Sequence, residues 1–228
     1  MPLNSAELDA IYLTVALASV TTLILLLLGT PLAWWLSRRH GSSTALIEAL
    51  VALPLILPPT VLGFYLLLMF APDTALGRAW EALTGERLAF SFSALVIGSV
   101  IYSMPFVVQP LQGAFQRIPG GLLDAAATLG ASRFDQFRSI VLPLSARSFV
   151  TAASLGFAHT VGEFGVVLMI GGNIPGETQV LSIALYDHVE SLQFAEAHRL
   201  AGALVVFSLL LLFFLYRREG PRVWRLQA

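Results

Sequence analysis

Residues 10–37, AIYLTVALASVTTLILLLLGTPLAWWLS, run for 28 positions without a charged side chain. A helix needs about 20 apolar residues to cross the hydrocarbon of a bilayer, so this stretch is long enough to span one. It is also about twice the length of a signal-peptide core, and residues 1–9 before it hold no Lys or Arg, so it is expected to stay uncleaved. Outward from it lie further uncharged runs, 24 residues from Ala49 to Pro72 and 29 from Leu88 to Gln116. A fourth, Ser148 to Gly171, is interrupted only by Glu163, and a fifth extends from Leu200 to Tyr216. Backbone in lipid must satisfy its own hydrogen bonds. The expected fold is therefore all-α and polytopic, with five transmembrane helices.

Composition agrees. Of 228 residues, 57% are hydrophobic and 12% charged, where soluble domains carry about 25% charged residues. That excludes a soluble globule and a disordered chain. A net charge of −1 gives no reason to expect a nucleic-acid partner. With no cysteine, disulfides, thiolate metal sites and thiol catalysis are excluded. All thirteen basic residues are arginine, and without a lysine the chain cannot form a P-loop, so any ATP must be bound by a partner. His40, His159, His188 and His198 are scattered, no metal site is expected, and no Gly-x-Ser-x-Gly elbow supports a hydrolase.

Orientation follows from the arginines. Arg38 and Arg39 follow the first span, Arg117, Arg133, Arg138 and Arg147 fill the third connection, and Arg217, Arg218, Arg222 and Arg225 form the tail. The other side holds Arg78, Arg87 and Arg199. The positive-inside bias places the N-terminus outside and the C-terminus in the cytoplasm. The chain reads as one transmembrane domain, 1–228, with a cytoplasmic loop at 117–147 and a cytoplasmic tail at 217–228. In the outer connection, Gly171 to His198, Leu181, Leu185, His188 and Leu192 fall on one face of an expected interfacial helix.

The 117–147 loop carries Asp124-Ala125-Ala126, then Gly130, Ile140 and Leu142-Pro143. Small alanines let another protein approach a short helix closely, Asp124 is expected near its N-terminus, and Gly130 supplies the positive φ that reverses the chain. Ser132 is positioned to cap a second short helix ending before Leu142-Pro143. A plain amphipathic loop lying on the membrane would have similar composition. The spacing, however, resembles the EAA signature of permease subunits of ABC importers, EAA-x3-G-x9-I-x-LP, with Asp124 standing where the family has glutamate. Leu53 to Gly63, with Pro54, Pro58 and Pro59, and Gly162-Glu163-Phe164-Gly165 followed by Asn173, Ile174, Pro175, Gly176, Glu177 and Thr178, are similar to the molybdate branch of that family. Sulfate and thiosulfate permeases share parts of these segments, and tungstate is a further alternative.

The resemblance implies a type I importer permease fold of the MetI-like kind and a homodimer with the path at its interface. It also implies two cytoplasmic ABC ATPase subunits docked on Asp124 to Gly130, and an extracytoplasmic molybdate-binding protein. This chain would bind no cofactor and catalyse no reaction of its own. Within the second span, Pro54, Pro58 and Pro59 free carbonyls that lipid cannot satisfy, so the segment faces the path or another helix, or else a helix simply starts at Pro58-Pro59. Glu163 is the formal charge inside a span and requires water, a partner or protonation. His159, four residues back on the same face, is the candidate partner; Thr160 and Gly162 adjoin it. Because a carboxylate repels a dianion, Glu163 is read as a gating or structural residue. A rival reading makes the Glu163/His159 pair the proton relay of an ion-coupled carrier.

Overall fold

The computed structural model of the chain describes residues 5–219. Among them the secondary structure is helical, with no strand. Helix α1 (Ser5–Arg38) is followed by α2 (Ser42–Ala52), a 3-10 turn at Leu53–Leu55 and α3 (Pro59–Phe70). Next come α4 (Ala75–Thr84), α5 (Phe92–Gln116), α6 (Gly120–Thr128) and α7 (Arg133–Gln136). A π turn at Phe137–Val141 joins α7 to α8 (Leu142–Val161), and the chain ends in α9 (Gly165–Gly171), α10 (Leu181–Glu190) and α11 (Phe194–Glu219). Helix α1, helix α5, the continuous segment 133–161 and α11 are each long and apolar enough to cross a membrane. The fifth crossing is a broken one, residues 42–55 and 59–70, bent by 109°. Residues 220–228, including Arg222 and Arg225 of the expected tail, lie outside the described residues.

The bend has a local cause. Pro58 adopts φ −55° and ψ 134°, the extended conformation that a residue preceding proline favours, and α3 restarts at Pro59, whose missing N–H costs nothing at a helix start. The helix thus starts at Pro58-Pro59 inside the apolar run, and the same segment also faces another helix, α9, so the two sequence alternatives each describe part of it. The fourth run is broken as well. It does not form one helix from Ser148 to Gly171: α8 stops at Val161, residues 162–164 leave helical geometry, and α9 begins at Gly165. Glu163 therefore lies at a helix break and not within a continuous span.

Two further expectations change. The helix begun at Ser132 does not end before Leu142-Pro143; Pro143 lacks a donor, and the chain widens into the π turn, with the Leu142 amide bonded to the Phe137 carbonyl, before continuing into α8. In the outer connection, α10 ends at Glu190, and Leu192 sits beyond it at φ 58°, exposed, off the face shared by Leu181 and Leu185.

The core divides into two main apolar clusters along α5. One joins Leu95 to Leu17, Phe70, Val166, Ile170 and Ile183; the other joins Val107, Leu111 and Phe115 to Leu25, Leu36 and Val141. The broken crossings pack on each other, α3 against α9. A Cβ at Gly63 would stand 2.8 Å from Met169 Cβ and 3.2 Å from Val166 Cα, and one at Gly165 would stand 3.0 Å from Pro59 Cβ. Glycine is what allows this approach.

Candidate functional site

Between the two clusters α5 carries Ser99 and Ser103, four residues apart on one face and both fully buried. They point at the break after α8. The Ser99 hydroxyl donates to Glu163 Oε2 at 2.5 Å and the Ser103 hydroxyl to Oε1 at 2.7 Å. His159 Nδ1 lies 2.8 Å from Ser103 Oγ and 3.5 Å from Glu163 Oε1. Thr160 Oγ is 3.0 Å from Ser103 Oγ and donates to the Gly156 carbonyl. Ser182 of α10 donates to the main-chain carbonyl of Glu163. One residue at a helix break is thus tied to α5, α8 and α10.

Glu163 is 3% exposed. An ionised carboxylate buried without partners costs several kcal/mol. Two hydroxyl donors to a charge offset much of that, because charge-assisted hydrogen bonds are about twice as strong as neutral ones. The His159 ring is stacked on Phe106, with centroids 3.9 Å apart, and leans on Tyr102 at 4.7 Å. A pocket of about 520 Å³ opens beside these groups, lined by Pro59, Thr60, Tyr102, His159, Glu163 and Met169 among others. The two broken crossings meet at this pocket.

Pro59, His159, Gly162 and Glu163 from the expected path residues line this pocket, and Thr160 lies against Ser103 behind it. Pro58 caps α3 from an exposed position, while Pro54 is buried in the 3-10 turn that packs toward α5. The outer segment does something else. Thr178, fully buried, donates to the Gly171 carbonyl at 2.7 Å and accepts from the Ile174 amide at 3.2 Å. Asn173 donates to Asp187 at 2.7 Å and accepts from Gln179 at 2.8 Å. Pro175, Gly176 at φ 78° and Glu177 form the exposed tip. These residues clamp α9 to α10 and do not line the pocket.

The loop residues sit on the opposite side of the fold. None of the residues of α6 is buried. Asp124 is the fifth of its nine residues, mid-helix and not near its N-terminus, because the helix begins immediately after Pro119. Asp124 and Ala125 are exposed and Ala126 is half-buried. Gly130 turns the chain at φ 89°, with its amide on the Ala127 carbonyl. Ser132 and Asp135 then form a capping box on α7. Ile140 is half-buried, and Leu142 and Pro143 are exposed, where the π turn meets α8. The sequence reading had missed Ser99, Ser103, Ser182, Tyr102 and Phe106. Its available signal was the i, i+4 serine pair within the third charge-free run.

The model of a family described as binding-protein-dependent transport system inner membrane component matches residues 25–225. The chain belongs to that family. This inner membrane component is 55% identical over 216 residues to the molybdenum transport system permease protein ModB of Azotobacter vinelandii, covering 95% of this chain and 96% of the relative. It is 31% identical over 223 residues to the sulfate transport system permease protein CysT of Escherichia coli, covering 96% of this chain and 80% of that one. Its fold matches a chain in the crystal structure of a bacterial alginate ABC transporter in complex with alginate pentasaccharide-bound periplasmic protein. The TM-score is 0.77 at 15% identity, over 95% of this chain and 79% of that chain. Family, fold and apolar helices together make the chain a multi-pass inner membrane protein of the ABC importer permease type, as expected from the Asp124 to Pro143 spacing.

Proposed function

We propose that this chain is the membrane-spanning subunit of an ATP-driven importer that carries molybdate across the cytoplasmic membrane by alternating access. The observation that carries the reading is the 55% identity to a molybdenum permease over nearly the whole of both chains, against 31% to a sulfate permease. Two copies form the path. Two cytoplasmic ATPase subunits bind the ATP and dock on α6, whose exposed Asp124 and Ala125 suit a partner. An extracytoplasmic binding protein delivers the oxyanion to the outer face. The N-terminus is outside and the C-terminus cytoplasmic, on the arginine distribution. Closure of the ATPases draws the α6 helices together and opens the outer side; hydrolysis restores the inward-facing state. Glu163 serves as a helix anchor and gate, since it is sealed by serine hydroxyls.

The test is uptake into vesicles holding the chain with its ATPase partner, at saturating binding protein. Molybdate should enter only with ATP, ahead of sulfate. Uptake driven by a proton gradient without ATP would overturn the reading in favour of a secondary carrier, and equal uptake of sulfate would move the substrate to the wider oxyanion class.

A further inference from the structure

We propose that the cytoplasmic half of the path is a second pocket on α5, where the carboxamides of Gln109 and Gln116 are the donors that receive the oxyanion on its way in. The proposal rests on the importer reading above and names where, along this chain, the anion goes after the pocket at Glu163.

Gln109, Gln112 and Gln116 follow one another at helical spacing in the third charge-free run. Gln116 ends α5, and Gln109 stands about 10 Å deeper along the helix. An amide facing hydrocarbon without a partner is costly, so this face of a crossing meets water or protein. Gln109 and Gln116 are exposed on the chain, and neither spends its side chain on another described residue. Gln112 is engaged, its amide donating to the Glu48 carboxylate of α2 at 2.5 Å. With Ala49 and Ala52 of α2, these residues line a pocket of about 480 Å³.

Its walls make it a continuation of the path. One is α5 and the other is α2, the first half of the broken crossing. The pocket at Glu163 is walled by the same α5, at Tyr102, and by the second half of that crossing, at Pro59 and Thr60. The two pockets thus lie on either side of one bend. Tyr102, Gln109 and Gln116 are spaced seven residues apart, which keeps them on one face of α5 over about 21 Å.

The chemistry suits an anion that has to leave. A fully ionised oxyanion presents acceptors, and a glutamine amide presents two N–H donors without a charge. Such bonds are weaker than those from a charged donor. Glu48 carries the anion's own sign, and the Gln112 amide offsets part of it. The Arg117 guanidinium folds back along α5, with Nη2 3.9 Å from where a Cβ on Gly113 would stand, and Gly113 also lines the pocket. Arg117 is exposed, so solvent ions screen it, and it draws the anion toward the cytoplasm without fixing it.

The chain has no cysteine, so single cysteines report on one position each. The nucleotide-free complex with its ATPase partner, in lipid nanodiscs, is treated with a small sulfonate-bearing thiol reagent that does not enter lipid. Gln109→Cys and Gln116→Cys should be modified, sodium molybdate should slow the reaction at both, and Leu27→Cys, exposed on α1 among apolar residues, should react far more slowly. In vesicles, ATP-driven molybdate uptake should fall about two- to tenfold in Gln109→Leu. It should fall further in Gln109→Glu, which keeps the side chain's shape but replaces its donors with a repelling charge. A milder defect in Gln109→Glu than in Gln109→Leu would mean that the residue only packs, and overturns the proposal. So does an absence of modification, a rate no higher than at Leu27→Cys, a disulfide between two copies through Gln109→Cys, or modification that molybdate leaves unchanged. Any of these in a complex that imports molybdate sinks this proposal alone, whereas a wild-type complex that imports none sinks the importer reading and this proposal with it.

Discussion

Ser103→Ala removes one donor to the Glu163 carboxylate and, with it, the hydroxyl partner of His159 Nδ1. Ser103 is fully buried, so bulk water does not replace the lost hydroxyl. A hydrogen bond to a charged group contributes about 1.5–3 kcal/mol and one between neutral groups about 0.5–1.5 kcal/mol. The truncation should therefore cost about 2 kcal/mol in the wild-type background. With Glu163→Gln the acceptor is neutral, and the same truncation should cost about 1 kcal/mol. For a chain of this length 1 kcal/mol corresponds to about 2–4 °C in Tm. Ser103→Ala should thus lower Tm by about 4–8 °C alone and by about half as much in the Gln background. Thermal unfolding of the purified protein in detergent, followed by fluorescence of its four tryptophans, supplies the four corners of the cycle. Effects that add to within about 0.5 kcal/mol would show that Ser103 does not serve an ionised Glu163.

Reporter fusions after Arg39 and after Arg147 should read cytoplasmic and one near Glu81 external; a cytoplasmic reading at Glu81 would refute the five-crossing topology. Gly130→Val strains a residue at φ 89° by about 1–2 kcal/mol. It and Asp124→Lys should both reduce substrate-stimulated ATP hydrolysis in the complex without dissociating the membrane subunits. Gly63→Val, whose Cβ would meet Met169 and Val166, should cost about 1–3 kcal/mol in thermal unfolding through overpacking. Glu163→Gln should slow uptake of molybdate, tungstate and sulfate alike; a selective gain for sulfate with molybdate flux unharmed would make Glu163 a selectivity residue instead of an anchor.

The crossings were legible because charge-free length is a property of one segment, read without knowing its neighbours. So was the Gly130 turn, since its positive φ depends on a few residues nearby. The breaks were legible only in part. Pro58-Pro59 announced one, but nothing within Ser148 to Gly171 announced that α8 would stop at Val161, because the end is fixed by partners on other helices. Ser99 and Ser103 draw Glu163 toward α5, Ser182 holds its carbonyl from α10, and α9 departs across Pro59 of α3. The His159/Glu163 spacing showed the pair and hid its donors for the same reason. A carboxylate's neighbours at helical spacing lie on its own helix, whereas Ser99 and Ser103 stand 64 and 60 residues away.

That arrangement bears on how a path can favour an oxyanion without trapping it. Conduction requires binding strong enough for entry and weak enough for release. An arginine in the pocket would present a charge that never leaves, because guanidinium does not deprotonate in proteins. The polar groups that line the pocket instead include His159 and Glu163, tied to each other and to Ser103. The two serines bond both carboxylate oxygens of Glu163, so that it lines the pocket without being an open repulsive charge. On this reading the carboxylate, otherwise a poor companion for a dianion, acts as the anchor of the helix break, and slow uptake of every oxyanion in Glu163→Gln is the consequence that separates it from a group that touches the substrate.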